Sequence, residues 1–327
     1  MKAFSVACCQ MSFPIVGKGS SIEDRARRML EVLESAVVGY RDYVPVKLVV
    51  FPEFSLTPIC SGSSAHLVKD TAIPLENEFI PGFIEAARTH DVIINIGSFL
   101  ERSLIHEVVY NTSMMVYPDG VLLVYRKLNP FIPLEPVHSP HDIEGFSDEW
   151  LPVAETSFGN MAVQICYDSR FPELSRAFAL KGAEILIVPS AYMGPWGGIK
   201  PMDVWTTTLR ARAMENSLYV VGCSLGSTLL DHPPYSWTGG SVVIDYEGRV
   251  VAQSPNGPVE DILVAPIYID NLREFRRETQ MFNLAHLRTE IYKSTYKRRV
   301  FHGSGDSEIT QDSLRKIIDS TRTDLFG

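Results

Sequence analysis

The chain has 327 residues and a formal net charge of −9, and 45% of its residues are hydrophobic. These proportions are typical of a globular protein with a large core, and they exclude a chain that is disordered along its whole length. The acidic balance argues against sequence-independent binding to nucleic acid or to an anionic membrane, because both require a basic surface.

The amino terminus is predicted to form a first strand rather than a targeting segment. Residues 3–10 are a short apolar run, and the chain contains no stretch of eighteen or more apolar residues. We therefore expect a cytoplasmic protein with no membrane and no nucleic-acid partner. The five cysteines are widely scattered and include no C-x-x-C pair, which argues against a disulfide framework and against a zinc site.

Predicted helices and buried strands alternate in the first third of the chain. Ser21 is a candidate N-cap, with Asp24 three residues later, for an amphipathic helix that runs to about residue 40. Short apolar runs rich in β-branched residues predict buried strands. These strands are expected over 47–51 and 92–97, and a second helix over 76–88.

Two hairpins interrupt this alternation. Pro118-Asp119-Gly120 is a turn signature between two strand-like runs, and Glu247-Gly248 separates two more. Further strands are expected over 160–166, 184–189 and 217–223, and helices from Pro172 and over 203–216. The mixture of strand–helix–strand units with hairpins favours an α/β sandwich with mixed sheets over an all-parallel barrel.

Three reactive side chains come at or just beyond the ends of strand-like segments. They are Glu53, Lys127 and Cys166. The loops at strand ends of an α/β sheet are where active sites form. Brought together, the carboxylate would take the thiol proton, the thiolate would attack an electrophilic carbon, and the ammonium would stabilise the developing negative charge.

The residues around these three side chains resemble the motifs of one family. Phe51-Pro52-Glu53-Phe54, Tyr125-Arg126-Lys127-Leu128 and Gln164-Ile165-Cys166-Tyr167-Asp168 are similar to the base, lysine and nucleophile motifs of the nitrilase superfamily, the carbon–nitrogen hydrolases, and they occur in the same order. Gln10 and Trp237-Thr238-Gly239-Gly240-Ser241 extend the resemblance, which covers residues 1–253.

The resemblance implies a fold and an assembly. Members of this superfamily fold as a four-layer α-β-β-α sandwich with mixed β-sheets and usually pair through a helix face. We therefore expect a nitrilase-like domain over residues 1–270 and a polar C-terminal extension over 271–327 at an oligomer interface. The expected partners are copies of this chain, in a homodimer or a higher homo-oligomer, and a small-molecule amide substrate.

The resemblance also implies roles for individual residues. Glu53 corresponds to the general base, Cys166 to the nucleophile and Lys127 to the cation at the tetrahedral intermediate, with the backbone N–H of Tyr167 as a second oxyanion donor. Glu135, eight residues after the lysine, corresponds to a second glutamate that orients substrate and lysine. No cofactor and no metal are expected.

The segment after the lysine indicates a substrate class. Lys-Leu-x-Pro-aromatic-x-Pro-aliphatic-Glu-Pro resembles the aliphatic amidase and formamidase branch, which implies hydrolysis of a small amide to a carboxylic acid and ammonia through a cysteine thioester. Phe54, where aliphatic amidases have tyrosine, and Asn129-Pro130, where carbamoyl hydrolases have histidine, depart from those patterns. The alternatives are an N-carbamoyl-amide hydrolase of the ureidopropionase or carbamoylase kind, a nitrilase, and a non-catalytic binding homologue. The intact Glu53, Lys127 and Cys166 argue against the last.

Apolar side chains next to these motifs are candidates for the substrate pocket, since small-molecule sites have mostly apolar walls. The candidate substrate-binding residues are Phe54, Phe131, Tyr167, Tyr192, Met193 and Trp196.

Asp168 and Arg170 are interpreted as a charge pair that shapes the turn after Cys166.

Overall fold

In the computed structural model, the described part of the chain contains two six-stranded mixed sheets, one two-stranded sheet and the helices given below. The structure describes residues 3–13, 21–40, 42, 44–59, 64–131, 135–194, 203–226, 236–297 and 309–326. The strands are β1 (Phe4–Gln10), β2 (Val46–Val50), β3 (Ile93–Ser103), β4 (Val108–Tyr117), β5 (Gly120–Arg126), β6 (Val153–Ala154), β7 (Met161–Val163), β8 (Ile185–Ser190), β9 (Met193–Gly194), β10 (Tyr219–Ser224), β11 (Ser236–Trp237), β12 (Val242–Ile244), β13 (Val250–Gln253) and β14 (Asp261–Ile267). The helices are α1 (Ile22–Val38), α2 (Ser64–Asp70), α3 (Ile80–His90), α4 (Pro172–Leu180), α5 (Val204–Asn216), α6 (Ile269–Glu278), α7 (Thr289–Tyr292) and α8 (Gln311–Phe326).

Each large sheet has a parallel centre and antiparallel edges. The first has the order β14-β1-β2-β3-β4-β5, in which β1, β2 and β3 are parallel. The second has the order β13-β12-β10-β8-β7-β6, in which β10, β8 and β7 are parallel. The predicted mixed sheets are therefore confirmed.

The two sheets pack face to face with helices on both outer faces. Along β1, Val6 and Cys8 join the core between the sheets, whereas Ala7 and Cys9 face α1 and α3, because successive side chains of a strand point to opposite faces. Helices α4 and α5 cover the second sheet. This is the expected four-layer α-β-β-α sandwich.

Local signals place several elements correctly. Ser21 caps α1 by accepting a hydrogen bond from the N–H of Asp24 at 3.1 Å, and both predicted hairpins form. The strand expected over 160–166 is shorter, because β7 ends at Val163 and the chain turns into a 3₁₀ helix over Cys166–Arg170. Helix α3 begins at Ile80, later than expected.

The C-terminal part of the chain contacts two separate parts of the sandwich, one beside β8 and one at α2. Helix α6 crosses the expected domain boundary at residue 270 with Leu272 buried, and Arg273 forms an ion pair with Glu184 at 2.6 Å. Next to α8, Ile309 exchanges hydrogen bonds with Ser64 at the start of α2, at 3.2 and 3.1 Å. Within the described ranges, no helix combines the length and apolar character that a bilayer span requires.

Candidate active site

The structure brings Glu53, Lys127 and Cys166 to one cavity, although they are far apart in the sequence. Glu53 follows β2, Lys127 directly follows β5, and Cys166 begins the 3₁₀ helix after β7. The strands that precede Glu53 and Lys127 belong to one sheet, and the strand that precedes Cys166 belongs to the other. The cavity therefore lies where strand ends from both sheets meet.

Contacts with β3 and with the side chain of Arg25 on α1 fix the backbone of the segment that carries Glu53. The N–H of Phe54 donates to Oγ of Ser98 at 3.1 Å, and Arg25 donates to the carbonyl of Phe54 at 3.2 Å. A Cβ atom at Gly97 would lie 1.9 Å from the carbonyl oxygen of Pro52. Only glycine fits there, because its missing Cβ allows the two backbones to approach.

Lys127 lies between two carboxylates. Its Nζ atom is 2.7 Å from Oε1 of Glu53 and 2.6 Å from Oε2 of Glu135, and its side chain is 1% exposed. The N–H of Phe131 also donates to Oε2 of Glu135, at 2.8 Å. Since an ammonium has three N–H donors, these two contacts leave one for a bound ligand.

Asn111 on β4 joins the same cluster, and the sequence analysis missed it. Its Nδ2 atom donates to Oε1 of Glu53 at 2.9 Å and to Oε1 of Glu135 at 2.6 Å. Its backbone carbonyl accepts from the N–H of Lys127 at 2.9 Å. Both N–H groups of the Asn111 side chain thus donate hydrogen bonds to carboxylates. The signal for this residue was the polar run Asn111-Thr112-Ser113 in the middle of the apolar residues that form β4.

Charge and burial set the protonation of the cluster. Burial raises the pKa of Glu53, and the ammonium of Lys127 opposes that rise. Burial alone would lower the pKa of Lys127, but the carboxylates of Glu135 and Glu53 outweigh it and raise this pKa above its usual value. Lys127 therefore carries its charge throughout the neutral range.

Cys166 has an unusual backbone conformation and a neutral thiol. Its φ of 47° lies in the left-handed region, which costs a non-glycine residue about 1–3 kcal/mol. Burial and the carboxylate of Glu53 raise the pKa of the Cys166 thiol, and the charge of Lys127 and the hydroxyl of Ser190 oppose this only in part. The resting thiol keeps its proton at neutral pH.

Asp168 connects the nucleophile segment to the lysine segment. Its carboxylate accepts from the N–H of Ile165 at 3.0 Å, from the hydroxyl of Tyr125 at 2.7 Å and from the N–H of Asn129 at 2.8 Å. Burial raises the pKa of Asp168 to about 6. The expected charge pair with Arg170 is wrong, because Asp168 shapes the turn through these neutral donors.

The cavity has a volume of about 280 Å³ and mostly apolar walls. Five of the six residues predicted to bind substrate line it, and Trp196 lies outside the described residues. Trp237, which the sequence analysis placed only in a motif, also lines the cavity. The predicted residues that line it are Phe54, Phe131, Tyr167, Tyr192 and Met193. Among the described residues, no group of three or more His, Cys, Asp or Glu side chains could hold a metal ion.

Comparisons with known proteins agree with this fold. A family profile described as carbon-nitrogen hydrolase matches residues 5–277. A formamidase from Bacillus thuringiensis (strain Al Hakam) is 29% identical over 270 residues, which cover 82% of this chain and 75% of the relative.

Solved structures are similar over almost the whole chain. Nit3 from Saccharomyces cerevisiae, described as a member of branch 10 of the nitrilase superfamily, superposes with a TM-score of 0.70 at 27% identity and covers 87% of this chain and 97% of its own. A carbon-nitrogen hydrolase from Helicobacter pylori G27 has the same fold, with a TM-score of 0.72 at 24% identity over 91% of this chain and 99% of its own. The chain belongs to the carbon-nitrogen hydrolase family of the nitrilase superfamily.

Proposed function

We propose that this protein hydrolyses a small non-peptide amide to a carboxylic acid and ammonia through a thioester on Cys166. The observation that carries the proposal is the meeting of a thiol, a buried carboxylate and a charged lysine in one apolar cavity. A thiol that stays protonated at rest needs a base at the moment of attack. Glu53, whose carboxylate interacts with the thiol, would be that base.

In the first half of the reaction, Cys166 attacks the amide carbon. Sγ bonds to this carbon while Glu53 takes the thiol proton, and the carbonyl electrons move to oxygen. The free N–H of Lys127 and the backbone N–H of Tyr167 would stabilise the oxyanion. Glu53 then gives its proton to the amide nitrogen, the C–N bond breaks, and ammonia leaves the thioester behind.

In the second half of the reaction, water takes the place of the thiol as the nucleophile. Glu53 takes a proton from the water as its oxygen bonds to the thioester carbon, and the same donors hold the second oxyanion. The C–S bond then breaks, the carboxylic acid leaves, and the sulfur regains its proton from Glu53. Glu135 and Asn111 hold Lys127 and Glu53 in place during both halves.

Ammonia release from a substrate panel tests the proposal. Simple aliphatic amides should yield ammonia and carboxylic acid in equal amounts. An N-carbamoyl amino acid that yields ammonia and carbon dioxide faster, or a nitrile that is converted faster, would favour the two alternative enzymes instead. Acid quenching followed by intact-protein mass spectrometry should show the acyl group on the protein. If no panel member yields ammonia, the proposal is wrong.

Asn111→Ala is expected to lower kcat/KM by about 10- to 100-fold. The variant removes the two N–H donors that hold Glu53 and Glu135. Lys127 is then the one donor in this cluster that the two carboxylates still share, so their repulsion is less compensated and the position of Lys127 is less fixed. Steady-state ammonia release, measured per folded molecule, checks this expectation.

Ser113→Ala is the matched control, because Ser113 is buried on the same strand and accepts a hydrogen bond from Asn95 at 2.9 Å. This variant should lose stability and keep its turnover per folded molecule. Equal activity losses in the two variants would mean that Asn111 acts only through the stability of β4.

A further inference from the structure

The cavity is larger than the smallest amides require. A cavity of about 150 Å³ accommodates benzene, which has six heavy atoms. The cavity of about 280 Å³ therefore has room for roughly ten heavy atoms on the same scale. Formamide has three, so it would leave most of this space to water or empty.

The charged groups of the cavity are concentrated at the reaction centre. Of the seventeen described residues that line it, only Glu53, Lys127, Glu135, Cys166 and Arg170 carry a charge or a thiol. The first four form the candidate active site. The fifth, Arg170, is exposed and interacts with the hydroxyl of Tyr192.

Part of the remaining wall is apolar and buried, whereas Tyr167 and Tyr192 in the same lining carry hydroxyl groups. Leu67 on α2, Leu100 on β3 and Val137 are 1%, 2% and 2% exposed, and Trp237 is 4% exposed. A polar group placed against this wall would lose its hydrogen bonds to water without replacement, whereas each methylene would gain from burial.

We propose that the natural acyl group is apolar and contains about five to eight carbon atoms, with its chain against Leu67, Leu100, Val137 and Trp237. The proposal rests on the proposed amide hydrolysis and deepens it. The carboxamide occupies the charged end, and the hydrocarbon fills the space that formamide leaves. Each buried methylene is expected to raise kcat/KM about fourfold.

A chain-length series separates this inference from the proposed function. For the unmodified protein, kcat/KM for ammonia release should rise from formamide and acetamide through butyramide to hexanamide, with about a 250-fold gain from acetamide to hexanamide for the four added methylenes. Turnover that is highest with formamide or acetamide would overturn the inference and leave amide hydrolysis intact. Faster turnover of succinamic acid than of hexanamide would also overturn it, because Arg170 would then select a charged chain end.

Two cavity-filling variants test the wall itself. Leu67→Phe and Leu100→Phe add bulk where the chain is placed, so the ratio of kcat/KM for hexanamide over acetamide should fall at least about tenfold. Val38→Phe, on the exposed face of α1, introduces the same side chain away from the cavity and should keep the ratio. An unchanged ratio in both leucine variants would overturn the proposal, and the ratio is independent of the amount of folded protein.

Discussion

Replacing Cys166 by alanine is expected to abolish ammonia release from every amide that the protein hydrolyses, with a loss of about 10⁵-fold or more in kcat. The variant removes the sulfur that forms the thioester, and no other described thiol lines the cavity. Without a covalent intermediate, water would have to attack an unactivated amide directly. An ammonia assay at high protein concentration measures the residual rate.

Cys223→Ala is the matched control for this loss. Cys223 is a free, fully buried thiol on β10 whose sulfur lies 3.2 Å from the carbonyl oxygen of Val50. This variant should be less stable but should keep its turnover per folded molecule, and it should still form the acyl adduct. Retained turnover in Cys166→Ala would contradict the thioester mechanism.

Replacing Glu53 by glutamine is expected to lower turnover by about 10³-fold and, at the same time, to lower the pKa of Cys166. The carboxylate of Glu53 raises that pKa, whereas the charge of Lys127 lowers it. Removing the carboxylate therefore leaves the influence of Lys127 less opposed, and a larger fraction of the thiol is ionised at a given pH. The rate of alkylation by iodoacetamide as a function of pH should shift its midpoint to lower pH.

In Glu53→Gln, turnover should fall while alkylation of Cys166 at a given pH should rise. These opposite changes separate the possible roles of Glu53. If Glu53 only had to generate a resting thiolate, its loss would reduce both alkylation and turnover. Glu101→Gln is the control, because Glu101 is a buried glutamate whose ion pair is to Arg126, at 2.7 Å. That variant should leave the alkylation midpoint of Cys166 unchanged. A midpoint that moves to higher pH in Glu53→Gln would refute the proposed electrostatics.

Local sequence signals predicted much of the architecture. The cap at Ser21, the turn at Pro118-Asp119-Gly120 and the proline that starts α4 act within a few residues, so they are readable without knowledge of the fold. The motifs around Glu53, Lys127 and Cys166 could be recognised for the same reason, because each is a short continuous run.

Contacts between distant segments could not be predicted in this way. Strand β14 pairs with β1 from the opposite end of the domain, and Asn111 reaches both glutamates only because β4 lies beside β3 and β5. The partners of Asp168 depend on the approach of the two sheets. Such arrangements follow from sheet order and register, which composition and periodicity leave open.

The pairing of Ile309 with Ser64 links the C-terminal segment to the part of the cavity wall, around Leu67, where we place the acyl chain. Ser64 begins α2, and Leu67 faces the cavity from the same helix, one turn later. On our proposal, changes in α8 that shift α2 would alter which amides are accepted without touching a reacting group. Laboratory evolution toward bulkier substrates should therefore enrich substitutions in this segment as well as in the cavity lining.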